Sequence, residues 1–142
     1  MRQKLTLITL GVRDFQRALQ FYEQGLGWKK STASQDNVAF FQLGGIVLSI
    51  YPWDLLAEDA QVPAAGSGFR GITLAYNTKD RAEADAVLKK AEAAGAVIIK
   101  PAVEVFWGGY SGYFRDPDGH LFEVAHNPFW EMNERDELVL PQ

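Results

Sequence analysis

The stretch from Tyr110 to Ala125 reads YSGYFRDPDGHLFEVA. It contains two short segments of apolar and β-prone residues, and the four residues between them, Asp116-Pro117-Asp118-Gly119, are typical of a tight turn. The sequence therefore predicts two strands joined by this turn, Tyr110–Phe114 and Leu121–Ala125, with the carboxylate of Glu123 on the second strand.

The residues before this pair predict a strand, a helix and two further strands. Asp80 and Glu83 form a variant of the capping box, which marks the start of the helix, and Gly95 marks its end. The predicted strands are Phe69–Tyr76, Val97–Lys100 and Val103–Trp107.

A similar order of elements occurs earlier in the chain, which indicates an internal duplication. A strand at Leu5–Val12 precedes a helix that begins after Asp14 and ends near Gly25 and Gly27. Three short strands then follow, at Trp28–Thr32, Val38–Leu43 and Ile46–Tyr51.

This duplication predicts an α+β fold of two βαβββ modules, with curled mixed sheets and helices outside, in a single domain spanning residues 1–142. Module 1 covers about residues 5–56 and module 2 about residues 69–128, and residues 57–68 between them have the composition of a surface linker. Residues 129–142 form a tail, which we predict to start with a helical turn at Phe129-Trp130.

Alternation along the strands that open and close each module assigns their residues to two faces. One face carries large apolar residues such as Leu10, Ile50 and Val124, and needs the two helices packed on it. The other face carries small and polar residues together with Glu123. We predict that this second face lines a cavity, because solvent-facing strands normally carry more charged residues; exposure to solvent is the alternative.

The composition excludes several classes of protein. The chain has 142 residues, 47% of them hydrophobic, and a formal net charge of −4. These values are typical of a globular protein and, without a cluster of Lys and Arg, they argue against nucleic acid or an anionic membrane as a partner. The lack of cysteine excludes disulfides and thiolate metal sites. We see no signal peptide and no apolar run long enough to span a membrane, so we expect a cytoplasmic protein.

Taken in order along the chain, the predicted strands, helices and turns resemble those of the vicinal oxygen chelate superfamily, the glyoxalase/bleomycin-resistance/dioxygenase group. The matching motifs include Leu10–Asp14, Ala18–Tyr22, Leu26–Trp28 and the turn Asp116–Gly119 followed by Phe122–Val124. The resemblance implies two βαβββ modules whose strands curl around a site, usually in a homodimer. It also implies binding of a small molecule, or an activity of the glyoxalase or dioxygenase type.

Enzymes of this family typically hold a divalent metal with residues from the first and last strands of each module. The resemblance places those positions at Leu7, Ser49, Gly71 and Glu123, of which only Glu123 offers a carboxylate. We therefore expect no metal and no other cofactor. A metal held by residues from unexpected positions, such as His120 or His126, is the alternative.

Glu123 is the predicted catalytic residue, because a carboxylate on a cavity wall can act as a general base or bind a cationic group. A structural carboxylate that accepts hydrogen bonds from Ser49, Thr9 or Thr73 is the alternative. The predicted substrate-binding residues lie on the small-residue face or are aromatic residues at strand ends. They are Thr9, Ser49, Tyr51, Thr73, Trp107, Tyr110 and Glu123.

The predicted function is the binding of a small organic molecule in the sheet-lined cavity, either as sequestration or as a metal-independent lyase or isomerase reaction. A metal-dependent lyase or dioxygenase with atypical ligands and a non-catalytic dimeric module are the alternatives. We expect a homodimer, since each module leaves sheet edges uncovered. The predicted interface residues are the Trp107–Phe114 hairpin and Phe129-Trp130.

Overall fold

The computed structural model describes residues 1–3, 5–70 and 72–140 of the chain. These residues belong to two compact units, Met1–Arg70 and Gly71–Gln142, and each unit has its own sheet with helical structure beside it. In the described part of the chain, no helix is long and apolar enough to cross a membrane.

The first unit consists of a three-stranded sheet and two helices. Its central strand pairs in parallel with the first strand and antiparallel with the second, giving the order β1-β3-β2. Helix α1 continues directly into a π-helical segment, Gln20–Gly25. The elements are β1 (Leu7–Val12), α1 (Phe15–Leu19), β2 (Ala39–Leu43), β3 (Ile46–Pro52) and α2 (Trp53–Asp59).

Helix α1 begins as the sequence predicts. The carboxylate of Asp14 accepts a hydrogen bond of 2.9 Å from the backbone N–H of Arg17, which caps the first turn. Ala18, Leu19 and Tyr22 are buried, and the ring of Tyr22 lies 6.0 Å from that of Phe41 on β2. The core of this unit therefore lies between the helix and the apolar face of the sheet.

The predicted strand Trp28–Thr32 is wrong, because only Lys30 forms a bridge there, to Phe41. The side-chain oxygen of Ser34 accepts the backbone N–H of Phe40 at 3.0 Å, so a side chain takes a donor that a neighbouring strand would use. Trp28 instead packs its ring against Tyr22.

Helix α2 was not predicted, and the predicted linker at residues 57–68 overlaps its last residues. Seven residues are too few to show a clear helical period, which explains why the sequence pattern missed it. The helix packs on the small-residue face of the sheet. A side chain at Gly11 of β1 would come within 3.2 Å of the ring of Trp53 and 3.4 Å of Leu56.

The second unit contains a four-stranded sheet, one long helix and a short hairpin. The sheet has the order β4-β7-β6-β5, with β4 parallel to β7 and the other neighbours antiparallel. The elements are β4 (Leu74–Thr78), α3 (Arg81–Ala93), β5 (Val97–Glu104), β6 (Tyr110–Arg115), β7 (Leu121–His126), β8 (Glu131–Met132) and β9 (Leu138–Val139).

Helix α3 follows its predicted signals at both ends. The carboxylate of Asp80 accepts the backbone N–H of Glu83 at 2.8 Å, and the carboxylate of Glu83 accepts that of Lys79 at 2.8 Å. After the helix, Gly95 has a φ of +111°, a conformation that strongly favours glycine. Ala84, Leu88 and Ala91 are buried against the sheet.

Four predicted elements of this half need correction. The strand predicted from Phe69 begins only at Leu74, so Thr73 is exposed ahead of it. The two strands predicted on either side of Pro101 are one strand, β5, whose pairing with β6 shifts register twice. The predicted helical turn at Phe129-Trp130 is a turn that leads into the β8–β9 hairpin.

With these corrections, the predicted α+β class is confirmed. Both sheets place the first strand of their unit parallel to a later strand, with a helix between the two in the chain. This repeated arrangement agrees with the predicted internal duplication.

Candidate functional site

The sheet of the second unit has one face against helix α3 and one face turned away from it. A side chain added at Gly112 would lie 2.8 Å from Leu88 of α3, so Gly112 and the residues paired with it face the helix. Glu123 and Tyr113 alternate with these residues and therefore lie on the other face. In register, Ala75, Glu123 and Tyr113 form one row across β4, β7 and β6.

A pocket of about 490 Å³ lies on this second face. Its volume falls within the usual range for sites that bind small molecules. Short and polar side chains from the sheet form one part of its lining, and three aromatic rings form another. The lining residues are Ala75, Asn77, Trp107, Glu123, Ala125, Asn127, Phe129 and Trp130.

Glu123 carries the charge of this pocket, since it is the ionisable residue in that lining. Tyr113 lies directly opposite it on the neighbouring strand, on the same face of the sheet. Burial, followed by the negative charge of Glu123, raises the pKa of the Tyr113 hydroxyl above its ordinary value.

Two of the aromatic rings of the pocket pack against glycines. A side chain at Gly109 would overlap the ring of Trp107, and one at Gly108 would lie 3.1 Å from the ring of Phe129. The backbone N–H of Phe129 donates to the side-chain oxygen of Asn127 at 2.9 Å, which fixes the turn after β7. The close approach that the two glycines permit is thus used by the protein's own rings.

The structure brings only two of the predicted binding residues, Trp107 and Glu123, to this pocket. Tyr110 faces helix α3, where its hydroxyl donates to Asp85 at 2.8 Å and the guanidinium of Arg81 lies 5.3 Å from its ring centre. That hydrogen bond, then burial and the charge of Asp85, raise the pKa of Tyr110. Thr73 lies in the exposed segment before β4 and is not among the lining residues.

The other predicted binding residues belong to the first unit. Thr9 and Ser49 are neighbours on β1 and β3, and the Ser49 hydroxyl donates to that of Thr9 at 2.7 Å. Tyr51 pairs with Gly11 at the end of the sheet where Trp53 and Leu56 of α2 pack. In this unit the small-residue face is thus partly covered by the chain itself.

Tyr113, Asn77 and the rings of Phe129 and Trp130 were not among the predicted binding residues. A signal for Asn77 was available, since it follows the predicted strand Phe69–Tyr76 directly and has the same parity as Ala75. The positions of Phe129 and Trp130 depend on the turn after β7. The sequence pattern predicted a helical turn at these residues instead, so it did not place their rings at the pocket.

The described residues do not form the metal site that the family resemblance implies. Leu7 has an aliphatic side chain, and the Ser49 hydroxyl is hydrogen-bonded to that of Thr9. Gly71 lies outside the described residues. Residues 1–3, 5–70 and 72–140 contain no group of three or more His, Asp or Glu side chains arranged to hold a metal ion. The donor set therefore does not fit the usual metal of the family.

The two histidines do not lie where they could bind a metal ion together with Glu123. His126 pairs with Tyr110 and Thr78, and one of its ring nitrogens lies 3.2 Å from the backbone oxygen of Thr78. By alternation, His126 thus lies on the face opposite Glu123. His120 lies in the loop before β7, where its backbone N–H donates to Asp116.

The fold and the sequence together assign this protein to a family. The family sequence model of the Glyoxalase/Bleomycin resistance protein/Dioxygenase superfamily matches residues 4–124, and the chain belongs to that superfamily. The predicted family resemblance is therefore confirmed.

Particular members of the superfamily show how far the likeness extends. A glyoxalase-related enzyme from Fulvimarina pelagi is 31% identical, with 99% of each chain covered and a TM-score of 0.87. A curated protein from Staphylococcus saprophyticus, Metallothiol transferase FosB, is 27% identical over 124 residues, 87% of this chain and 77% of that one. A lactoylglutathione lyase from Agrobacterium tumefaciens shares the fold at 22% identity, covering 92% of this chain and 98% of its own, with a TM-score of 0.68.

Proposed function

We propose that this protein binds a small organic molecule that carries an aromatic or apolar group and a positively charged or hydrogen-donating nitrogen. The observation that carries this proposal is the position of Glu123, a single carboxylate in a pocket whose lining includes three aromatic rings. A carboxylate attracts cations and N–H donors, and aromatic faces add a favourable cation–π interaction.

The pocket supports binding more directly than it supports a reaction. Its lining offers Glu123 as the acid–base group. We therefore place sequestration of the ligand first. A metal-independent lyase or isomerase reaction would use Glu123 as the base that removes a proton from the bound ligand.

The likeness to Metallothiol transferase FosB is the observation that favours a metal-dependent enzyme as the second candidate. That candidate requires ligands other than Leu7 and Ser49, whose side chains do not fit the role. Elemental analysis of the purified protein separates the two candidates, because a tightly held metal in equimolar amount, lost in the Glu123→Gln variant, supports the metalloenzyme and contradicts our proposal.

A series of three probes of similar size and different charge tests the proposal. Benzyltrimethylammonium, benzyl alcohol and phenylacetate are titrated into the protein at neutral pH, with heat or tryptophan fluorescence as the signal. We expect the cation to bind at least about tenfold more tightly than the alcohol, a difference of about 1.4 kcal/mol, and phenylacetate to bind most weakly. Equal affinities, tighter binding of phenylacetate or no binding of any probe would contradict the proposal.

We also propose that the protein is a homodimer, with an interface revised from that expected from the sequence. Trp107, Phe129 and Trp130 line the pocket, whereas the outer strand β5 exposes Val97, Ile99 and Val103. An uncovered apolar strand edge favours pairing with a second copy.

Sedimentation at micromolar concentration tests the dimer. We expect the mass of two chains for the wild type and the mass of one chain for Ile99→Glu, because the new charge would be desolvated in the interface. A wild-type mass of one chain, or an unchanged mass in the variant, would contradict this interface.

A further inference from the structure

We propose that Asn127 is a specificity-determining residue of the pocket, whose side-chain amide donates a hydrogen bond to a carbonyl or carboxylate oxygen of the ligand. The ligand is then bipolar, with a cationic nitrogen at Glu123 and an acceptor oxygen at Asn127. This inference rests on the proposed function, since it names the second polar group of the molecule that the same pocket binds.

The turn after β7 sets the orientation of the Asn127 amide. Its side-chain oxygen accepts the backbone N–H of Phe129 at 2.9 Å. Pro128 lies between these two residues, and its fixed φ restricts the shape of the turn. Because a backbone N–H can only donate, the amide oxygen must face it and the amide nitrogen must lie on the other side.

The Asn127 side-chain nitrogen is available to a ligand. In the described part of the chain, no acceptor forms a hydrogen bond with it. It is not one of the buried side-chain atoms without a partner, so it is accessible from outside the protein, and Asn127 lines the pocket. An amide nitrogen offers hydrogen-bond donors and no acceptor. Asn127 therefore presents a donor to a molecule in the pocket.

The donor lies at the opposite end of the pocket from the carboxylate. Glu123, Ala125 and Asn127 line the pocket and the residues between them do not, which places all three on one face. An extended chain advances about 3.3 Å per residue, so the Cα atoms of Glu123 and Asn127 are about 13 Å apart. Side chains stand roughly upright from a sheet, and contacts of about 3 to 4 Å at each end leave about 6 Å between the two polar groups of the ligand. A para-substituted benzene ring spans such a distance.

The other hydrogen-bonding side chains of the lining lack this fixed direction. Asn77 pairs with Ala125 near the middle of the row, and no hydrogen bond to another described residue orients its amide. The rings of Trp107 and Trp130 carry N–H donors, but they are 37% and 41% exposed. Within residues 1–3, 5–70 and 72–140, Asn127 is thus the lining amide whose donor direction a hydrogen bond fixes.

Two cations of nearly equal shape test this donor. In para-acetyl-benzyltrimethylammonium a carbonyl oxygen occupies the place of the terminal CH₂ of para-isopropenyl-benzyltrimethylammonium. Since both carry the same ring and charge, the ratio of their affinities isolates the carbonyl oxygen. By calorimetric titration at neutral pH, we expect the wild type to bind the acetyl probe about five- to tenfold more tightly, the size expected for one hydrogen bond.

Two substitutions remove the donor and keep the turn. Asn127→Asp retains an oxygen that accepts the Phe129 N–H, and its added charge acts on both cations alike. Asn127→Ser also accepts this N–H, through its hydroxyl oxygen, but its side chain is shorter. We expect the affinity ratio to fall to about one or below in both variants. Asn37→Asp is the control, because this exposed residue lies outside the pocket lining and gains the same charge, so the wild-type ratio should remain.

A neutral probe, para-methylacetophenone, separates this inference from the proposed function because it keeps the carbonyl group and lacks the cation. Equal binding of the two cations to the wild type, or a ratio that survives in both Asn127 variants, overturns the inference and leaves the preference for cations intact. If the neutral ketone binds as tightly as the acetyl cation and loses affinity in both variants, the donor role of Asn127 is supported and the proposed cation site is overturned. Absence of binding of all three probes overturns both.

Discussion

Gly109→Ala is expected to weaken binding of benzyltrimethylammonium by about tenfold or more. A methyl group at this position would overlap the ring of Trp107, which lies across the glycine. The overlap involves the ring itself, so the indole must leave its position rather than bend slightly. Because Trp107 supplies part of the aromatic wall, its departure removes a cation–π contact and opens the pocket to water.

The stability of the Gly109→Ala protein should change much less than its affinity. Trp107 is already 37% exposed, so moving its ring into solvent costs about 1 kcal/mol of unfolding free energy. Gly45→Ala is the control, since a side chain at Gly45 meets nothing within 4 Å. Calorimetric titration of the two variants, with chemical unfolding followed by circular dichroism, makes the comparison. An unchanged affinity in Gly109→Ala would show that Trp107 is not part of the site.

Local signals were sufficient to predict helix α3 and its ends. Asp80, Glu83 and Gly95 each act through contacts with residues close in the chain, and such contacts can be inferred from spacing alone. The pairing of Tyr110–Phe114 with Leu121–Ala125 was predictable for the same reason. The register of this pairing could not be predicted from spacing.

The register of that hairpin decides which residue meets Glu123. A four-residue turn from Asp116 to Gly119 would place Gly112 opposite Glu123. The loop instead includes His120, because the carboxylate of Asp116 accepts the backbone N–H groups of both Asp118 and His120, at 3.0 and 2.8 Å. This single extra residue shifts the pairing so that Tyr113 lies opposite Glu123. Spacing alone does not show which backbone N–H groups the Asp116 carboxylate will accept, and so does not show the length of the loop.

The small-residue face illustrates a second limit. Gly11 in the first unit and Ala75 in the second satisfy the same pattern, and both predicted an open cavity wall. The structure fills the space at Gly11 with Trp53 and Leu56 of α2, whereas Ala75 lines a pocket. A pattern of small residues shows that something approaches closely, and it does not show whether that is a ligand or the chain itself.

Glu123→Gln should abolish measurable binding of benzyltrimethylammonium while leaving folding nearly intact. Glutamine has the same shape, and Glu123 is only partly buried, so the stability change should stay within about 1 kcal/mol. The negative charge is lost, and with it the main attraction for a cation in a pocket whose other lining residues are neutral. The neutral probe benzyl alcohol should bind both proteins equally, which makes it the internal control.

The most direct test of the central claim is therefore a paired measurement on wild type and Glu123→Gln: calorimetric titration with benzyltrimethylammonium, and thermal unfolding of the same samples. Our account predicts that the variant loses binding of the cation and keeps the wild-type melting temperature within a few degrees. A variant that still binds the cation with wild-type affinity, but unfolds at a much lower temperature, would show that Glu123 is a structural residue and that this pocket is not the binding site.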